Sequence, residues 1–453
     1  MHNILISYSA AAFKGPFSGH IILYLSKTKL EPRVEIDGPC YGLVVKQIKP
    51  GQLINFNDKA VSFPNPLVKI EHGVYYVQAV CDRNIGGRNI GTSVGNLFSI
   101  TQKVTFPKKA GVVVNLVCDQ VVPPQVFEET KYIKEFNAPS ALLSNFHHIQ
   151  QSIYGAVILP KEYYDHPNKE FPVLFIIGGY GSDYHNYSKE NKDIEPPKRI
   201  YKIPYIQVYL DGNCPLGHSV YANSDNNGPW GDAITSEFIP LLRQQYRCNG
   251  AILMKGHSSG GWTVLWLQTH YPELFAGCDA SAPDPVDYHS FLQRDLYAGE
   301  SKIISSPETV LWRGEQDNSF DAVYGPKGED GNPIPLYHPI TGKMNNRVLQ
   351  HWKRYDLSRY LLKNWKQLKF ILAGKIRISV GNEDTYSLNL SVEKLEKTMK
   401  QINADITFAF FPGDHFSVMT TAYKKASAAF LSKIYHKWLL QKQLHISSLK
   451  KNR

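Results

Sequence analysis

Between Ile252 and Trp262 an apolar run breaks at Gly256-His257-Ser258-Ser259-Gly260-Gly261 and passes without a gap into a helix-forming stretch. A strand that becomes a helix over so few residues must fold through a sharp corner. Gly256 and Gly260 flank Ser258 at a spacing that lets strand and helix close together without Cβ clashes. In such a corner the serine is held in a sparsely populated backbone conformation, with its hydroxyl thrust into open space. The first amides of the following helix then point at any negative charge that develops beside it. A chain with this corner has to build a sheet with a helix packed directly behind it.

At 453 residues the chain exceeds one ordinary core, so two domains are expected. Hydrophobic residues at 43%, aromatic at 12% and charged at 20% describe a globular protein. The net charge of +10 is spread over scattered lysines, and the one dense cluster is the tail Lys450, Lys451 and Arg453. No stripe of arginine and aromatic residues accompanies it, which argues against nucleic acid as a partner. No apolar run reaches the roughly 20 residues that span a bilayer. Six cysteines lack metal-ligand spacing and read as buried apolar fillers or, at most, a few bridges. The segment Met1–Phe13 has a short apolar centre but no positive leader, and Ile4, Ile6 and Tyr8 alternate like a strand. At face value the chain is cytoplasmic.

Residues 1–123 read as an all-β sandwich, with short β-branched and aromatic runs separated by Gly, Pro, Asn and Asp. Its expected role is to shape one wall of a site, with glycan binding as the alternative. A linker is expected at 124–150. From 151 to 445 strands alternate with helical patterns, the signature of a mostly parallel sheet covered on both faces. An insertion at about 288–368, carrying Trp312, Trp352 and Trp365, is expected to cap the site. A basic tail is expected at 446–453.

A serine hydroxyl is a weak nucleophile at neutral pH and needs a base, which in turn needs an orienting carboxylate. In an α/β-hydrolase fold these follow in the order Ser, Asp or Glu, His, each on a loop after a strand. His415 follows the last apolar strand and a Gly-containing turn, and is the candidate base for Ser258. Asp384 follows the preceding strand and is preferred over its neighbour Glu383. Asp284 and Asp287, after an earlier strand, are the alternative acids. The oxyanion hole needs two amides, one from Ser259 and one from the glycine-rich loop after an early strand, at Tyr180 or at Gly179. Trp230, Trp262, Asn223 and Asp225 are tentative pocket residues, with core packing as the equal alternative for the tryptophans. The loop Gly178–Gly181 lacks the Lys-Ser/Thr ending of a phosphate loop. The Asp/Asn run at 223–232 does not match a calcium-loop spacing. No metal and no cofactor is expected.

Gly256–Trp262, the Asn223–Asp225 and Gly228–Gly231 stretches, Pro283–Asp287 and Val380–Asp384 together resemble the bacterial putative esterase group of α/β-hydrolases. That group includes enterochelin esterase-like enzymes, S-formylglutathione hydrolases, feruloyl esterases and mycolyltransferases. The likeness spans about Ser152 to Leu440, and the preceding β-domain is similar to the enterochelin esterase arrangement. The resemblance implies Ser258, His415 and Asp384 as a triad. It implies a serine carboxylic-ester hydrolase acting on a small-molecule or glycan-linked ester through an acyl-enzyme. Acyl transfer to a sugar or other alcohol, and non-catalytic glycan binding on a hydrolase scaffold, are the rival readings. One departure stands out: many relatives carry His-Gly where this chain has Gly178-Gly179. Relatives of this two-domain type are often exported.

Overall fold

The computed structural model describes residues 2–56, 59–83, 87–109, 111–191, 202–302, 307–339 and 341–451, apart from the side chains of 189–191 and 445–451. The side chains of the expected basic tail therefore lie outside the described residues.

The N-terminal strands are β-branched and aromatic runs that alternate between two apolar faces. On Phe17–Ser26, Ile21, Leu23 and Leu25 enter a core with Ile4, Ile6, Tyr8, Val77 and Ala79. Ile22 and Tyr24, on the other face, meet Val80 and Ile90 together with Val310 and Leu311 from the second half of the chain. Asn3–Tyr8 is a strand, paired parallel to Val113–Val121 and antiparallel to Ile54–Phe56. Where the sequence suggests two stacked sheets, the described strands hydrogen-bond into one nine-stranded sheet folded around its own core.

The second sheet carries the site. Its eight strands lie in the order Ile133–Ser140, Gln151–Ile158, Ile206–Leu210, Phe171–Ile177, Cys248–His257, Gly277–Ser281, Ile376–Gly381, Thr407–Phe411. From Ile206–Leu210 onward every neighbouring pair is parallel, so the loops that follow these strands gather along one edge. The first strand falls inside the expected linker at 124–150. Its Lys134, Glu135 and Asn137 give it a loop-like composition, yet Ile133, Phe136 and Ala138 are buried and pair along Gln151–Ile158. Pro139 is tolerated there because the strand is at the sheet edge.

The helix after the corner, Ser259–His270, is buried on all sides down to Thr269, as expected of a helix at the centre of a layered fold. The insertion contributes to the cores of both halves of the chain. Its last helix, Leu357–Leu372, is capped by Asp356 and leads into the strand Ile376–Gly381. Phe320, Tyr324 and Trp352 join the same core as Trp262. Glu308–Leu311 reaches the N-terminal sheet instead. Next to it, Arg313 grips Asp82 through two hydrogen bonds of 2.6 Å, both side chains almost fully buried. All six cysteines are free thiols, five of them buried.

Candidate active site

Ser258 sits at φ 59°, ψ −126°, between the end of Cys248–His257 and the start of Ser259–His270. That conformation is strained for a residue with a Cβ, and the surroundings enforce it. A methyl group on Gly256 would lie 2.0 Å from the Gly260 carbonyl oxygen, and one on Gly260 would lie 2.1 Å from that of Ile177. No other residue type fits at either position. The Ser258 amide donates to the Ser281 carbonyl at 3.0 Å, tying the corner to the next strand.

The last two strands bring the acid and the histidine together. Gly381 pairs with Phe411, and the Asn382 amide donates to the Phe411 carbonyl at 2.8 Å, so the two loops leave the sheet side by side. His415 Nδ1 then donates to Asp384 Oδ2 at 2.8 Å, with both residues buried. The other Asp384 oxygen accepts the amides of Tyr386 (2.9 Å) and Leu388 (3.2 Å), which fixes the carboxylate. Glu383 is exposed, which separates the two neighbouring acids. Tyr386 and Phe416 stand edge-on to the His415 ring, and His257 packs on it at 4.6 Å between centroids. Burial pushes the His257 imidazole down to about 4, so it is neutral at pH 7.

Asp284 is also at the corner. Its carboxylate accepts from Ser259 Oγ at 2.6 Å, and its amide donates to the Ser258 carbonyl at 3.2 Å. Burial drives this carboxyl up to about 6, against the pull of the Ser259 hydrogen bond and of the nearby His415 charge. Asp287 points elsewhere: it caps the short turn at Tyr288–Ser290 and bonds the His289 ring.

The glycine-rich loop passes directly beside the serine. A methyl group on Gly179 would lie 3.1 Å from Ser258 Cβ and 3.8 Å from its Oγ. Behind it, His218 Nδ1 accepts the Val220 amide, which leaves the proton on Nε2 to hold the Gly178 carbonyl at 3.2 Å. Burial keeps His218 neutral by pushing it down to about 4. The Tyr180 side chain reaches residues of both halves of the chain. Its hydroxyl donates to the Gly314 carbonyl and accepts from Arg88 Nη1 at 2.9 Å.

A family model described as putative esterase matches residues 147–424. The chain belongs to the putative esterase family. Membership makes it a carboxylic-ester hydrolase with an α/β-hydrolase-like fold. Among solved structures it is similar to a ferulic acid esterase, at 14% identity and a TM-score of 0.44, covering 68% of this chain and 100% of that one. It is likewise similar to the S-formylglutathione hydrolase of Agrobacterium tumefaciens, at 16% identity and a TM-score of 0.41, over 68% of this chain and 96% of that one. The fluorophosphonate-binding serine hydrolase F of Staphylococcus aureus gives 17% and 0.40, over 66% and 97%. No curated protein matches the sequence.

Of the tentative pocket residues, Trp262 lies one helical turn beyond Ser258, its amide bonded to the Ser258 carbonyl at 3.0 Å. Trp262 is fully buried and stacks on Trp266 at 5.1 Å, and Trp230 packs edge-on to Tyr221, so both serve the core. Asn223 Oδ1 accepts the Asp232 amide, and both it and the Tyr271 hydroxyl stand where a methyl group on Gly231 would project. Tyr271 follows the far end of the 12-residue helix, about 18 Å along its axis from Ser258. Asp225 is exposed and bonds His351 at 2.8 Å. Arg88, His218 and Arg313 were not legible as site residues, because each acts through contacts distant in sequence. Among the described residues no cluster of three or more His, Cys, Asp or Glu could hold a metal ion, and no helix is long and apolar enough to cross a membrane.

Proposed function

We propose that the esterase works through Ser258 as nucleophile, His415 as base and Asp384 as the orienting acid, with a covalent acyl-enzyme. The observation that carries this reading is the buried 2.8 Å bond from His415 Nδ1 to Asp384. It fixes the tautomer that leaves Nε2 free to accept a proton. As an ester carbonyl enters, the Ser258 hydroxyl gives its proton toward His415 Nε2 and attacks. Its proton moves to the imidazole and then to the departing alcohol. The carbonyl oxygen, negative in the tetrahedral intermediate, is held by the amides of Ser259 and Tyr180, or Gly179 in place of Tyr180. A water molecule, deprotonated by His415, repeats the sequence on the acyl-enzyme and releases the acid.

The N-terminal sheet, through Arg88, and the insertion, through Gly314, flank the loop at Tyr180. Replacement of Ser258 by Ala should abolish turnover of 4-nitrophenyl acetate and labelling by a fluorophosphonate probe. Retention of either in a correctly folded variant removes the proposal.

A further inference from the structure

The N-terminal sheet sends one cation to the oxyanion loop. Arg88 is half-buried, and its guanidinium lies over the Tyr180 ring at 4.5 Å while Nη1 donates to the Tyr180 hydroxyl at 2.9 Å. A second, longer bond from Nη1 reaches the Gly314 carbonyl at 3.4 Å. Among the described residues Nη2 and Nε have no hydrogen-bond acceptor, and no carboxylate forms an ion pair with this arginine. Glu315 feels its charge, and burial drives that carboxyl upward.

The free edge lies beside the glycine-rich loop. Nη2 lies 3.8 Å from where a methyl group on the exposed Gly181 would be, two residues beyond the glycine that touches Ser258. Two residues of chain add at most about 7 Å, which places Nη2 within roughly 18 Å of the nucleophile. The position is held rigidly. Arg313, already locked to Asp82, also donates to the carbonyls of Gly87 (3.2 Å) and Arg88 (3.5 Å), and Ile90 is buried between the two halves of the chain. A surface arginine kept for solubility needs none of this. A permanently charged fork with two open donors beside an active site matches a carboxylate or a phosphate.

We propose that Arg88 recognises an anionic oxygen group on the ester substrate, in its acyl or its alcohol half, several bonds from the scissile carbonyl. The inference rests on Ser258 being the nucleophile and adds the substrate class. Two pairs of esters test it. In one, 4-nitrophenyl adipate is compared with the matching 5-carbamoylpentanoate. In the other, the acetate ester of 6-hydroxyhexanoate is compared with that of its amide. In at least one pair the carboxylate should be preferred by roughly tenfold or more in kcat/KM, mostly through KM. Arg88→Gln should erase that preference, and Arg88→Lys should restore part of it. Preference for the amide in both pairs, or an equal loss on both members in Arg88→Gln, overturns the proposal. Adipate should also raise the Tm of Ser258→Ala, and adding Arg88→Gln should remove that shift. Should no ester be turned over, the triad reading fails, and the Tm shift still decides Arg88: its presence supports the site and its absence overturns it.

Discussion

Arg313 and Asp82 meet as a two-pronged ion pair across the two halves of the chain, with hydrogen bonds of 2.6 Å from Nε and Nη2 to separate carboxylate oxygens. Asn96 also donates to Asp82, at 3.0 Å, so the carboxylate is well satisfied while the pair is intact. Removing one partner leaves a buried charge without compensation, which costs about 3–5 kcal/mol. Arg313→Met should therefore lower stability in urea by that amount and release the loop that carries Arg88. Arg313→Met combined with Asp82→Leu should recover a large part of the loss. If the single variant unfolds at the wild-type midpoint, the pair does not hold the two halves together.

The Asp384–His415 bond gives a second outcome. Asp384→Asn retains a side chain of the same shape, but its amide nitrogen would oppose the Nδ1 proton and favour the wrong tautomer. We expect kcat to fall about 10⁴-fold with little change in KM, the usual size of this effect in serine hydrolases. Asp287→Asn, which alters only a turn and a contact with His289, should leave kcat within a factor of about two. Comparable losses in both variants would argue against Asp384 as the orienting acid.

The proposed triad is the part of the site that local sequence makes legible. Ser258, His415 and Asp384 each follow a strand with its own local signature, and short-range pattern suffices to find them. Sequence prefers Asp384 over Glu383 on their shared loop, and the burial of Asp384 beside an exposed Glu383 supports that preference. Asp284, the alternative acid, lies at the corner, hydrogen-bonded to Ser259. The strand Ile133–Ser140 was hidden by its charged residues, because an edge strand needs only one apolar face. The motif likeness around Asn223 and Asp225 suggested a pocket. Asn223 meets the Asp232 amide and Asp225 meets His351, contacts that no local pattern reveals. Arg88 and Arg313 were beyond reach for the same reason: their partners lie 92 and 231 positions away.

Gly260 couples the corner to the oxyanion loop. A methyl group there would strike the Ile177 carbonyl oxygen at 2.1 Å and that of Gly178 at 2.7 Å. Both atoms belong to backbone at a strand end, which cannot swing aside as a side chain can. Gly260→Ala should cost at least about 3 kcal/mol, the upper range for overpacking. Since the displaced backbone leads directly to Gly179 and Tyr180, the folded fraction should also lose turnover. Activity per folded molecule equal to wild type would show that the loop position does not matter.

Asp284 supplies a dependence on pH whose sign can be worked out. Its carboxyl titrates near 6 in the folded protein, above the ordinary value of 3.8, because burial disfavours the charged form. Between those two values the folded state binds more protons than the unfolded chain, so stability falls as pH rises through that window. Below about pH 4 the group is protonated in both states and makes its full contribution. Above about pH 6 it is ionised in both, and the loss is complete, on the order of 3 kcal/mol for two units of displacement. Asp284→Asn cannot ionise, yet its oxygen still accepts from Ser259. Its stability relative to the wild type should therefore rise between pH 4 and 6 and level off above. Urea midpoints for the two proteins at pH 4, 5, 6 and 7 measure this directly, and a constant gap across the series would show that Asp284 ionises without penalty beside the nucleophile.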